Sequence, residues 1–191
     1  MKKSLATAAI FLLALTGCAN TDDAKDPEPK PEAATEQTEP EETQVHKLEI
    51  TEVADKQEVT ILPEGFKINM PAGWVPAKPK NAKTLLHMVD LQNGNVILIH
   101  EVGGSDLAVD PDEYLDTLNS NGNIGAGRQA SYLGKLEIDG EEARKYAVTG
   151  GGVITHIYSV VHGAYVYEIA VNTVTDEAMS ELVPYVESLT F

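Results

Sequence analysis

Three dipeptides constrain this chain more than anything else in it. Asn93-Gly94, Asp139-Gly140 and His162-Gly163 each lie between two runs rich in apolar and β-branched residues. KTLLHMVDLQ and NVILIHEV flank the first, SYLGKLEID and EARKYAVTG the second, and VITHIYSVV and AYVYEIAV the third. So short a turn can only return the chain as an antiparallel neighbour, and glycine supplies the positive φ that the turn requires. FKINM runs into Pro71-Ala72-Gly73, with proline at the second and glycine at the fourth position of a turn. Gly150-Gly151-Gly152 reads as another link between strands. The expectation is an antiparallel sheet of about seven strands.

Two helical patterns interrupt the strands. DPDEYLDTLNSNG offers Asp110 as N-cap, Pro111 at the first helical position, Glu113 to complete a capping box and Gly122 as a stop. TDEAMSELVPYVESL starts from Thr175 as cap, sets Leu182, Val186 and Leu189 on one face, and predicts a kink or short break at Pro184. In the first hairpin Leu85, Val89, Leu98 and Val102 fall on one face and Leu86, Met88, Ile97 and Ile99 on the other. A sheet apolar on both sides needs cover on both sides. The expected class is α+β, an antiparallel sheet with helices over both faces in an α/β/α sandwich.

The N-terminal region has another character. Residues 1 to 18, MKKSLATAAIFLLALTGC, have two lysines, an apolar run, small residues and the chain's single cysteine. That is the layout of a secretory signal, with an apolar run far short of the roughly 20 residues a spanning helix needs. Leu15-Thr16-Gly17-Cys18 resembles the bacterial lipobox, which implies lipidation of Cys18 and cleavage before it. An ordinary cleaved signal with a chance cysteine is the alternative. The next stretch, ANTDDAKDPEPKPEAATEQTEPEETQVHK, has four prolines, one valine as its only large aliphatic residue and no aromatics. It has too little apolar area to offset the entropy of ordering, so disorder is expected. The division is residues 1–17 as signal peptide, 18–58 as lipidated cysteine and acidic tether, and 59–191 as one globular domain. LEITEVADKQEV, at that boundary, is either a first strand or the end of the linker.

Charge limits the partners. Residues 19 to 58 hold 4 Lys against 13 Asp or Glu, net −9; residues 59 to 191 hold 8 Lys or Arg against 17 acids, also −9. The whole chain is at −16, which repels nucleic acid and anionic headgroups. Attachment to a membrane therefore rests on the lipid. After Cys18 there is no cysteine, so disulfides and thiolate chemistry are excluded from the domain.

FKINMPAGWV, the Asn-Gly hairpin, the mid-chain helix, and the meander YAVTGGGVITHIYSVVHGAYVYEIAVN before a helix ending in VESLTF together resemble the Mog1/PsbP-like fold of many bacterial lipoproteins. The likeness covers residues 59 to 191 and rests on element order. It implies non-enzymatic binding or assembly roles and carries over no set of functional residues.

Candidate sites come from the histidines and aromatics. If Asn93-Gly94 is a two-residue turn, paired numbers sum to 187 and His87 opposes His100, about 5 Å apart at Cβ. Two such imidazoles can share a metal ion, but their face offers Leu85, Val89 and Val102 and no third ligand, which leaves zinc weakly held. Structural histidines are the stronger reading, and no metal or cofactor is expected. If His162-Gly163 is likewise a two-residue turn, His156 faces Ile169 and Tyr158 faces Tyr167, a place for a small ligand or a core histidine bonded to a hydroxyl. Trp74, the sole tryptophan, either seals the core or meets a ligand at a rim. Gly122, Gly125 and Gly127 follow a helix rather than a strand, the wrong context for a phosphate loop. Asp139, Glu141 and Glu142 lack calcium-loop spacing. No nucleophile stands in a recognisable setting.

The expected function is a non-catalytic binding or assembly module, lipid-anchored on the outer side of the cell membrane and acting on a protein or cell-envelope partner. The alternative is a small-ligand or metal-binding lipoprotein using the His87/His100 face or the Tyr158/Tyr167 pocket.

Overall fold

The computed structural model describes residues 46–79, 81–120 and 124–191. The expectations for residues 1–45, Cys18 and the tether among them, lie outside these.

Ten strands form two antiparallel sheets. In the smaller, β1 (Lys47–Val53), β2 (Lys56–Leu62) and β3 (Phe66–Pro71) lie side by side in sequence order. The larger has seven strands in the order β4-β5-β6-β10-β9-β8-β7. These are β4 (Val75–Pro76), β5 (Thr84–Val89), β6 (Val96–Gly104), β7 (Gln129–Ile138), β8 (Glu141–Gly150), β9 (Val153–His162) and β10 (Tyr165–Thr173). A short 3-10 turn at Ser105–Leu107 precedes helix α1 (Pro111–Asn119), and α2 (Asp176–Glu187) follows β10. LEITEVADKQEV is thus strand: β1 and β2 pair along their length from Val53↔Lys56 to Lys47↔Leu62, so the ordered structure begins ahead of residue 59.

Alternation along each strand divides the buried residues into two clusters. The larger collects Leu86, Met88, Ile97, Ile99, Tyr158, Val160, Ile169 and Val171 from the seven-stranded sheet. Against them lie Val59, Ile61, Ile68 and Met70 of the small sheet and Met179, Leu182 and Val186 of α2. The cover on this face is therefore a helix beside a second sheet, which an all-helical layer did not anticipate. The second cluster has Tyr146, Val148 and Ile157 from the neighbouring positions on β8 and β9, with Tyr114 and Leu118 of α1.

Both helices start as their caps dictate. The Asp110 side chain accepts from the Asp112 amide, with Pro111 at the first position. Thr175 accepts from the Ala178 amide. Of the kink or short break expected at Pro184, no break forms: α2 runs on through it. The carbonyl that the missing amide would have met belongs to Ser180, which is exposed, so water can satisfy it. Beyond α2 the chain binds β3: Lys67 and Thr190 exchange backbone hydrogen bonds of 2.9 and 2.8 Å, and Ser188 Oγ accepts from the Asn69 amide.

Candidate functional site

Two hairpins take a register different from the one their dipeptides suggest. Between β5 and β6 the loop is Asp90 to Asn95, six residues rather than two, and Val89 pairs with Val96. Asp90 causes this. Its Oδ1 accepts from the amides of Gln92 and Asn93, its Oδ2 from the Asn93 side chain, and its own backbone pairs with Gly94 and Asn95. Although burial opposes it, these hydrogen bonds, from the Asn93 side chain first, hold the Asp90 carboxyl below its usual range. In consequence His87 opposes Leu98, and His100, beyond a bulge, opposes Thr84. The predicted His87–His100 pair does not exist. His87 Nδ1 lies 3.2 Å from the Lys78 carbonyl, and His100 belongs to another group altogether.

Between β9 and β10 the turn is Gly163-Ala164, with His162 opposite Tyr165. Gly163 has φ +57 and stands first of the two central positions, where a type II′ turn requires positive φ. The register moves by two: His156 opposes Val171, and Tyr158 opposes Ile169 instead of Tyr167. Tyr158 is wholly buried, with the Lys145 ammonium 5.4 Å from its ring centroid, and burial pushes its hydroxyl up to about 12. His156 packs edge-on to Tyr158, and burial, helped by Lys145, brings it down to about 4. Tyr167 lies in the same larger core as Tyr158, but its ring contacts are Phe66 at 5.2 Å and Phe191 at 5.9 Å. His162 stacks on that same Phe191 at 4.5 Å. Trp74 is buried, its carbonyl accepting from Gln57, and closes the larger core.

What the structure does bring together is a polar row. Lys135, Arg144, Ser159, Glu168, His100 and Thr84 are successive register partners across β7, β8, β9, β10, β6 and β5. They stand on the sheet face that carries α1. At the centre Glu168 is buried, its Oε1 accepting 2.7 Å from the Tyr114 hydroxyl of α1, its Oε2 3.5 Å from His100 Nε2. Arg144 reaches the Val109 carbonyl just ahead of the same helix. Burial first, then the Glu168 charge, raises the Tyr114 hydroxyl well above its ordinary range; Tyr146, 4.6 Å from it, is pushed up to about 12, chiefly by burial. His100 Nδ1 is buried without a hydrogen-bond partner among the described residues.

Sequence reasoning found His100 but missed Glu168 and Tyr114. The signal was a lone acid within YVYEIAV, since a carboxylate in an apolar strand demands a donor from whatever covers it.

The overall fold is shared with a solved protein. The fold is PsbP-like. The solution structure of cyanobacterial PsbP (CyanoP) from Synechocystis sp. PCC 6803 superposes with a TM-score of 0.54 at 19% identity, covering 73% of this chain and 94% of that one. No family model and no curated protein matches this chain. A PsbP-like sheet thus carries the polar row on one face. One open depression of about 300 Å³ is lined by Asn93, Asn95, Val174, Thr175, Glu177, Ala178 and Glu181, and another of about 290 Å³ by residues around the Asp139-Gly140 turn. Among the described residues no three His, Cys, Asp or Glu side chains converge on a metal position, and no helix is long and apolar enough to cross a membrane.

Proposed function

We propose that the chain is a non-catalytic binding or assembly module, held by a lipid on Cys18 at the outer side of the cell membrane and acting on a protein or cell-envelope partner. The observation that carries it is how the five histidines are placed. His46 bonds Glu64 and the Ala82 carbonyl, His87 the Lys78 carbonyl, His100 lies by Glu168, His156 packs on Tyr158, and His162 stacks on Phe191. Each lies in its own surroundings, in the service of strand and helix packing. The PsbP-like fold and the LTGC sequence agree with the reading. Cys18 sets the attachment, the acidic residues after it set the reach, and the folded part presents a surface.

The second reading, a small-ligand site, is favoured by His100 Nδ1, which has no hydrogen-bond partner among the described residues beside a buried carboxylate, and by His156 Nδ1 and the Tyr158 hydroxyl, which are likewise unpartnered. Fractionation of cells making the wild type and Cys18→Ala tests the first reading, with metal content measured on the purified chain. The module reading expects the wild type in the membrane fraction, the variant released, and no stoichiometric metal. A variant that stays in the membrane ends the lipid assignment; a bound metal that disappears with His100→Gln replaces the module by a ligand-binding protein.

A further inference from the structure

The end of the seven-stranded sheet where β5 turns into β6 and β10 passes into α2 has an unusual surface. The depression there is lined by Glu177 and Glu181 of α2 and by Asn93 and Asn95 of the loop between β5 and β6. The two acids are four apart on α2, a spacing that sets like charges on one face at a cost of a few tenths of a kcal/mol. Neither has a hydrogen bond or ion pair among the described residues. The chain has no cation of its own to offer from these segments: there is no Lys or Arg between Thr84 and Gly127, and none from Tyr146 to Phe191. The apolar residues here are equally unpartnered. Val174, in the lining, is 60% exposed, and Leu91, in the loop that carries Asn93 and Asn95, is 76% exposed. The loop from Asp90 to Asn95, which holds Leu91, is tied by the Asp90 side chain, which accepts hydrogen bonds from Gln92, Asn93 and Asn95.

Uncompensated carboxylates beside exposed aliphatic side chains on a fixed frame match one kind of visitor. We infer that this depression docks a basic segment of a protein partner, with an arginine or lysine between Glu177 and Glu181 and an apolar neighbour on Val174 and Leu91. A guanidinium suits two carboxylates and an amide oxygen, because it presents several donors in one plane. An acidic surface also speeds encounter with a basic segment while excluding acidic ones. The inference rests on the module reading and names the partner's chemistry.

The test places a photo-crosslinking amino acid at Val174 in the full chain in cells, and separately at Leu133 on β7, which is 50% exposed and on the opposite edge of the strand order from β4 and β5. Adducts are mapped to the partner peptide by mass spectrometry, with and without Glu177→Gln/Glu181→Gln. The expected result is an adduct at Val174 on a peptide with Lys or Arg at the contact, its yield falling on the order of tenfold in the double variant. Removing the i, i+4 repulsion leaves the melting temperature equal or slightly higher, which checks that the variant folds. Adducts from Leu133 alone, or adducts from Val174 indifferent to the glutamines, overturn the docking site and leave the module reading standing. No adduct from either position removes both. A Val174 adduct abolished by 5 mM EDTA overturns the basic segment in favour of a bound divalent cation.

Discussion

The two faces of the seven-stranded sheet are covered by different means. On the face toward the small sheet and α2, cover is a dry apolar cluster in which Ile61, Met70, Met88, Ile97, Ile169 and Val186 are almost wholly buried. On the other face α1 brings only Tyr114 and Leu118 to full burial, and polar ties do the rest: Tyr114 to Glu168, Arg144 to the Val109 carbonyl, and Asn119, which both donates to and accepts from the Ala130 backbone. Burial of apolar area is non-directional, so the first face tolerates changes of shape better than changes of volume. Hydrogen bonds to a buried carboxylate are directional and costly to leave unmade, so the second face fixes where α1 sits rather than how strongly it sticks.

The largest effect that separates the faces is a cavity. Ile169→Ala, at the centre of the dry cluster, is expected to cost about 3 kcal/mol in urea unfolding. A loss under about 1 kcal/mol there would mean the cluster collapses around the gap and is not the packed layer described. Next in size is Tyr114→Phe, which removes one oxygen and leaves the Glu168 carboxylate buried without its donor, at about 2 kcal/mol. Tyr114→Phe combined with Glu168→Leu is expected to lose less than the two single changes added together, because the buried charge leaves with its partner. Strict additivity in that cycle would show that the hydrogen bond does not couple helix and sheet.

Element order was legible in the sequence because it depends on local chemistry. Asp110, Pro111 and Thr175 mark their helix starts without reference to the rest of the chain, and Asp139-Gly140 makes the two-residue turn that its residues favour, Asp139 itself at φ +51. Register was not legible where two local options compete. Asp90 could end a strand or claim the amides of Gln92 and Asn93, and its claiming them lengthened the loop and separated His87 from His100. Gly163 could be second or first in its turn, and taking first place moved Tyr158 from Tyr167 to Ile169. A shift of two keeps every side chain on its own face, so the apolar pattern could not reveal either one. The site was lost for the same reason: the row through Arg144, Glu168 and His100 exists only as register partners on six neighbouring strands.

The cap substitutions are smaller and sharpen the contrast between the helices. Asp110→Ala and Thr175→Ala are each expected to cost about 1 kcal/mol. Their local consequences differ. With so little apolar burial under α1, its amides at Leu115 and Leu118 should exchange with solvent through a local opening that Asp110→Ala makes easier, while those of α2 at Leu182 and Val186 exchange only with global unfolding. Equal protection in the two helices would put α1 within the same cooperative unit as the dry face.

The smallest effect is one of pH, and it lies beside the dry face. Desolvation first, then the Lys145 charge, lowers the His156 imidazole to about 4, against Asp176, which acts the other way. The unfolded chain takes up this proton near the ordinary histidine value of about 6.5. Between those two values the unfolded state therefore binds more protons than the folded one, so stability rises with pH there. The contribution is fully present above pH 6.5 and is lost as pH falls toward 4. His156 is only partly buried, and discounting for that exposure leaves on the order of half a kcal/mol at pH 6. Urea unfolding of wild type and His156→Gln at pH 7.5, 6 and 5 isolates it, because the glutamine lacks the titration while Glu168 and the other carboxylates act in both proteins. The stability difference between the two is expected to move in favour of the glutamine variant as pH drops. A difference that stays constant across the three pH values would mean that His156 takes its proton in the folded chain as readily as in the unfolded one, and that water reaches the ring beside Tyr158 on the face described as dry.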